Sequence, residues 1–302
     1  MDVPSGGDDA NEDNRNCANR LSNDAVAREG LELINHISRN NLPITELVTA
    51  DYIMVNWYSQ KVYEAVLVNP NDTFSLLPSE ENPCLEVEYN QNYASATLRY
   101  DPKDFKPARI TKSLQYATGI PHAGILTSAM FLNRFDTTDT NRNRHRSYTV
   151  YDIFLDTDLL EIEGARPEDS IDTSSTNPTL DNEACYTCHT VMDPIASTFQ
   201  HWDEKGRRIP STHESGDSSW SSNGIEAPGI ASKKLPLSGG SSSNDNMLQW
   251  LGNEIAKDPR FMRAITRHLY KGIIGQDLLP APGDNAAEAD ITAFNAQRSI
   301  LT

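Results

Sequence analysis

Apolar residues recur at mostly helical spacing between Ala25 and Ser38, where Leu31, Leu33, Ile34 and Ile37 mark one face, and the pattern predicts a helix there. A second helical pattern runs from Pro43 through Leu47, Tyr52, Ile53 and Trp57, so the two segments are expected to pack as a helix pair. Residues 85 to 98, LEVEYNQNYASATL, alternate apolar with polar positions about a central Asn-Gln-Asn, which suits a small β-hairpin. Helical periodicity returns at Ala123 to Phe131 and at Tyr148 to Leu160, on either side of the polar connector DTTDTNRNRHR. From Arg166 to Asn182 the composition turns to Pro, Ser, Thr, Asp and Asn and predicts a loop. A longer irregular stretch, roughly Pro210 to Asn246, is rich in Ser and Gly and contains Trp220; so long a loop is uncommon unless it wraps something. Three helices close the chain, over Asp245 to Ala256, Pro259 to Ile274 and Ala286 to Leu301. The fold class expected is mainly α, with long irregular loops and room for one small hairpin.

Composition narrows the function. A chain of 302 residues with 37% hydrophobic content can bury a sizeable core. Its formal net charge of −17 repels phosphate backbones and anionic lipid heads, so nucleic acid is not an expected partner. Neutral or basic partners are. No apolar run approaches the roughly 20 residues that span a bilayer. The opening MDVPSGGDDANEDNRN is acidic and polar, without the apolar region of a signal peptide, and residues 1 to 22 read as a disordered tail.

The chemistry concentrates in ACYTCHTVMDP, residues 184 to 194. Cys185, Cys188 and His189 form a C-x-x-C-H motif, which chance would supply about once in a thousand chains of this cysteine and histidine content. Two thiols three positions apart can each add to one vinyl group of a haem, and the adjacent imidazole then ligates the iron. Two other readings stay open. A thioredoxin-like redox pair would need a strand before Cys185 and a βαβ pattern, and neither is visible. A zinc site would need a fourth ligand, and no second C-x-x-C or H-x-x-x-H pair supplies one at a usual spacing.

CYTCHTVMDPIASTFQHWDEKGRR, from Cys185 to Arg208, resembles the haem block of the secreted planctomycete-type cytochrome c family. LPITELVTADYIMVNWYSQKVY looks like that family's segment upstream of the haem, HAGILTSAMFL and NRNRHRSYTVYDIFLDTDLL like its central segment, and MLQWLGNEIAKDPRFMRAITRHLYKGIIGQ like its C-terminal helices. The resemblance covers about Leu31 to Pro280. Members are often longer, so this chain reads as a short member or a fragment. What it implies is a helical, haem-binding cytochrome c-like domain over residues 121 to 302, preceded by a helical region over 23 to 120. It also implies haem c as cofactor and a periplasmic or extracellular location, since c-type haem is attached outside the cytoplasm. In that context Cys17 and Cys84 become candidates for a disulfide.

His189 is then the proximal ligand, and its second ring nitrogen is expected to meet a carbonyl or carboxylate, the nearest candidate being a backbone carbonyl between Met192 and Pro194. Met192 lies too close in sequence to cross the ring and is assigned to core packing. The sixth ligand must come from elsewhere. Met130 and Met247 lead as candidates, ahead of Met262, His122 and His268, and an open position is the remaining option. In the basic run NRNRHR, Arg142, Arg144 and Arg146 read either as partners of haem propionates or the acidic loop, or, preferred, as a solvated charge run; Arg207 and Arg208 carry the same two readings. Asp156, Asp158, Glu161 and Glu163 lack the pattern of a calcium loop and read as a solvated acidic face. The leading function is one-electron transfer with an unidentified redox protein as partner. The alternatives are a peroxidase-like haem enzyme with an open sixth position and an extracellular binding protein in which haem is structural.

Overall fold

The computed structural model describes residues 9–78, 100–111, 119–138, 141, 143–161, 183–208, 247–283 and 285–300. The expected hairpin at 85 to 98, the loops at 166 to 182 and 210 to 246 with Trp220, Arg142, Glu163 and Cys84 lie outside them. The chain is mainly helical. In order it forms α1 (Asp9–Arg39), α2 (Glu46–Thr49), β1 (Ile53–Val55), α3 (Trp57–Tyr63), β2 (Val66–Leu67), β3 (Lys106–Arg109), α4 (Ala129–Arg134) and α5 (Arg144–Thr149). A π-helical turn (Val150–Phe154) and a 3-10 turn (Leu159–Glu161) follow, then α6 (Glu183–Ser197), α7 (Met247–Lys257), α8 (Pro259–Ile274) and α9 (Glu288–Ile300).

Helix α1 begins at Asp9, well inside the stretch read as a disordered tail. Cys17, Leu21, Ala25, Glu29, Leu33 and Ile37 are all buried and recur every four residues, one winding stripe against the body. Cys17 is disulfide-bonded and packs with Leu21 and Tyr58, which holds the first turns of the helix in place. Leu31 and Ile34, assigned to the apolar face, are instead exposed, because the stripe runs through the positions between them. Glu29 within this stripe accepts the Tyr63 hydroxyl at 2.8 Å and the backbone N–H groups of Ala129 and Met130. Burial outweighs those bonds and pushes its carboxyl up to about 8.

The expected helix over residues 43 to 57 is three elements. Ile53–Val55 is drawn into a small antiparallel sheet, ordered β1, β3, β2, with Ile53 opposite Ala108 and Val66 opposite Arg109. Asn56 then restarts a helix: its side chain accepts the N–H groups of Tyr58 and Ser59, a capping box that sets α3.

The main core joins Leu33 and Ile37 of α1, Val48 of α2, Phe131 and Leu132 of α4, Tyr151 and Phe154 of the π turn, Ile195 of α6, Leu251 of α7 and Phe261 of α8. Within it Phe131 has its ring centroid 6.2 Å from those of both Phe154 and Phe199. Helix α7 reaches this core through Gly252, where an added Cβ would run into the carbonyl of Val48. Of the C-terminal expectations, Pro259 to Ile274 is matched end to end, with Asp258 capping its start and Gly275 in the left-handed region after its last turn. No helix among the described residues is long and apolar enough to cross a membrane.

Candidate functional site

Helix α6 carries Cys185, Cys188 and His189 within about one turn, at spacings of three and four residues. The Cys188 sulfur lies 3.8 Å from the Leu159 carbonyl, so the 3-10 turn borders the motif. His189 is held from its own helix: its Nδ1 lies 3.0 Å from Asp193 Oδ1, one turn further on. Asp193 is gripped in turn by Arg144, whose Nε donates to Oδ1 at 2.7 Å and Nη2 to Oδ2 at 2.9 Å, a bidentate pair. Burial works to raise the Asp193 carboxyl, but the bonds from Arg144 and His189 prevail and hold it below the ordinary carboxylate range. The ring nitrogen therefore meets a carboxylate, not the backbone carbonyl expected between Met192 and Pro194. The Met192 and Pro194 carbonyls have other donors, the hydroxyls of Ser147 and Ser197.

Pro194 lies inside α6 and lacks the N–H that a helix would donate to the carbonyl of residue 190, one turn before it. Two hydroxyls reach the carbonyls of the next two residues. Ser147 Oγ donates to the Met192 carbonyl at 2.7 Å, and the Tyr151 hydroxyl donates to the Val191 carbonyl at 3.1 Å. Arg144, Ser147 and Tyr151 recur at i, i+3 and i+7, and together they hold residues 191 to 193 of α6. Met192 packs against the main core, the role expected of it.

Arg146 is fully buried, where a solvated charge run was preferred. Its five N–H groups all find acceptors. Nε donates to Phe135 O at 2.9 Å, Nη1 to Asn143 Oδ1 at 2.8 Å and Trp202 O at 3.1 Å, and Nη2 to Leu132 O at 2.9 Å and Asp203 O at 2.8 Å. Burial lowers the guanidinium to about 10, still protonated at neutral pH. Arg146 thus ties the end of α4 to the segment after α6, with α5 fixed between them. Arg207 is exposed and pairs with Asp203, while Arg208 is buried. Asp156 is no solvated face either: Arg263 at 2.5 Å and Arg267 at 3.0 Å pair with it across from α8, and Asp158 accepts the Leu160 N–H at 2.8 Å.

The proposed sixth ligands are spread through the fold. Met130 ends its side chain against Gly30 of α1. Met247 is buried, its sulfur 3.4 Å from the Gln200 amide just beyond α6. Met262 is half exposed on α8. His268 Nε2 lies 3.0 Å from the Ile153 carbonyl. His122 is buried, its Nε2 accepts the Ile110 N–H at 3.1 Å, and burial lowers its imidazole to about 4, so it is neutral at neutral pH. Among the described residues no group of three or more His, Cys, Asp and Glu side chains is arranged to hold a metal ion.

Asp193, Ser147 and Tyr151 were not singled out from sequence. A carboxylate four residues after a histidine on one helix was the signal for the first. The hydroxyls had none, because they act on a helix 40 and more positions away.

Residues 122–210 match the family described as PSCyt3, a protein of unknown function (DUF1588). The matched stretch is 89 of the 302 residues and includes the motif, Arg144, Ser147, Tyr151 and Asp193. No curated protein and no solved structure matches the chain.

Proposed function

We propose that this chain is the haem-carrying part of a c-type cytochrome that passes single electrons outside the cytoplasm. In this reading Cys185 and Cys188 are the points of covalent attachment and His189 is the axial ligand. A haem c held there would supply one-electron redox chemistry at its iron. The observation that carries the reading is the motif on a single helical turn, with Nδ1 of His189 engaged by Asp193 so that Nε2 is the nitrogen left to face a metal. The donor set fits the group: two thiol positions spaced for two vinyls, and an imidazole whose orientation is fixed before any ligand arrives. Ser147 and Tyr151 hold α6 through its Met192 and Val191 carbonyls, and Arg144 keeps Asp193 ionised and in place. The disulfide at Cys17 supports an oxidising, exported setting. The similarity to PSCyt3, over residues 122–210, falls within the stretch that resembles the planctomycete cytochromes and includes their haem block. A net charge of −17 suits a redox partner that presents a basic surface.

The test is expression with export and haem-attachment machinery, followed by a denaturing gel read for haem absorbance. Colour that migrates with the polypeptide, and is lost in Cys185→Ala with Cys188→Ala, is the expected result. Colour that separates from the chain, or one equivalent of zinc in its place, overturns the reading.

A further inference from the structure

We infer that Asp193 and Arg144 are positioning residues that set, in opposite directions, how strongly His189 donates to a bound iron. The inference rests on the haem reading above. Asp193 Oδ1 lies 3.0 Å from His189 Nδ1, and the side chains of His189, Asp193 and Arg144 are all about four-fifths buried, at 18%, 20% and 20% exposure. A charge-assisted hydrogen bond of this kind draws the Nδ1 proton toward the carboxylate and makes the opposite nitrogen a stronger donor. A stronger donor favours ferric over ferrous iron, so the bond lowers the reduction potential. Arg144 acts on the same oxygen. Its Nε is 2.7 Å from Oδ1, closer than the imidazole, and its Nη2 occupies Oδ2. By neutralising the carboxylate it weakens the pull on His189 and moves the potential back up. A backbone carbonyl in that position would be neutral and would offer no such adjustment. The three residues therefore form a graded device: the carboxylate pulls, and the guanidinium limits the pull.

The two substitutions must consequently shift the potential with opposite signs, which a pair that merely holds the helices together would not do. The experiment is a redox titration at neutral pH of the full chain with its haem attached, for the parent, Asp193→Asn, Asp193→Glu and Arg144→Gln, with thermal melts to confirm that each is folded. Asp193→Asn should raise the ferrous-to-ferric ratio at the parent midpoint at least tenfold, about 59 mV for one electron. Arg144→Gln should lower it. Asp193→Glu keeps the charge but moves the oxygen out of register with the ring, and should follow Asp193→Asn if the bond itself matters. Shifts of the same sign in Asp193→Asn and Arg144→Gln, or an Asp193→Glu that behaves as the parent, overturn the inference while leaving the haem reading intact. A parent chain that carries no haem overturns both.

Discussion

Replacing Arg146 with lysine keeps the charge and most of the length, and it should still cost the protein much of its stability. The guanidinium spends all five donors on four backbone carbonyls and the Asn143 side chain, in a site with no exposure. An ammonium has three donors, so at least two acceptors lose this partner, and only the Asp203 carbonyl has a second one, the Gly206 N–H at 3.1 Å. Each one left unsatisfied costs about 1–3 kcal/mol, which puts Arg146→Lys at about 1–6 kcal/mol. Whole domains are stable by only about 5–15 kcal/mol. The assay is urea unfolding followed by circular dichroism at pH 7, with the slope of the transition checked for constancy before midpoints are converted. Arg146→Met, which removes all five donors and leaves only the Asp203 carbonyl with another partner, should not fold. If Arg146→Lys unfolds within about 1 kcal/mol of the parent, Arg146 is not the buried five-bond tie described above, and the reasoning that fixes α5 through it fails.

Other outcomes follow from single positions. Because Glu29 is raised from 4.5 to about 8 in the fold, its contribution is fully present below pH 4.5 and is lost as pH rises toward 8. Stability should therefore decline across that window by at most about 1.4 kcal/mol per pH unit, and Glu29→Gln should flatten the decline; parallel profiles for the two proteins would refute it. Gly252→Ala forces a Cβ onto the Val48 carbonyl and should destabilise by about 1–3 kcal/mol or more in the same urea assay, with a neutral result contradicting the close approach of α7 to α2. If Met130 or Met247 completes the iron, the reduced protein should bind carbon monoxide slowly or not at all, and alanine at the correct position should create that binding. Rapid binding in the untouched protein would point to an open site instead.

Where signals were local, the sequence was readable. Asp258, Pro259 and Gly275 bracket α8 with a cap, a first-turn proline and a left-handed stop, and its bounds were predicted without help from the rest of the chain. The second helix failed for the opposite reason. Leu47, Tyr52, Ile53 and Trp57 have helical spacing, but Ile53–Val55 belongs to a sheet whose central strand arrives some 50 residues later. The local warning was Asn56, a helix start where the supposed helix was to end. The N-terminal reading failed because composition was weighed above spacing: the stripe of every fourth residue begins at Cys17, inside the acidic stretch. At the site, C-x-x-C-H was visible because its chemistry is sequential. Arg144 and Arg146 look alike in NRNRHR, yet one clasps a carboxylate on α6 and the other disappears into the interior. Only their distant partners tell them apart.

The hydroxyls of Ser147 and Tyr151 grip carbonyl oxygens of α6 rather than any side chain on it. A hold of that kind is blind to residue identity at 191 and 192, since every amino acid presents the same carbonyl. Mutational drift at those two positions is thus limited by how well the new side chain fills its space, not by the clamp. Drift at Ser147 and Tyr151 is limited by the need for a hydroxyl at a fixed reach. Relatives should accordingly vary at 191 and 192 within the limits of packing while keeping hydroxyl-bearing residues on the segment that grips them, an asymmetry that a set of aligned relatives would expose directly.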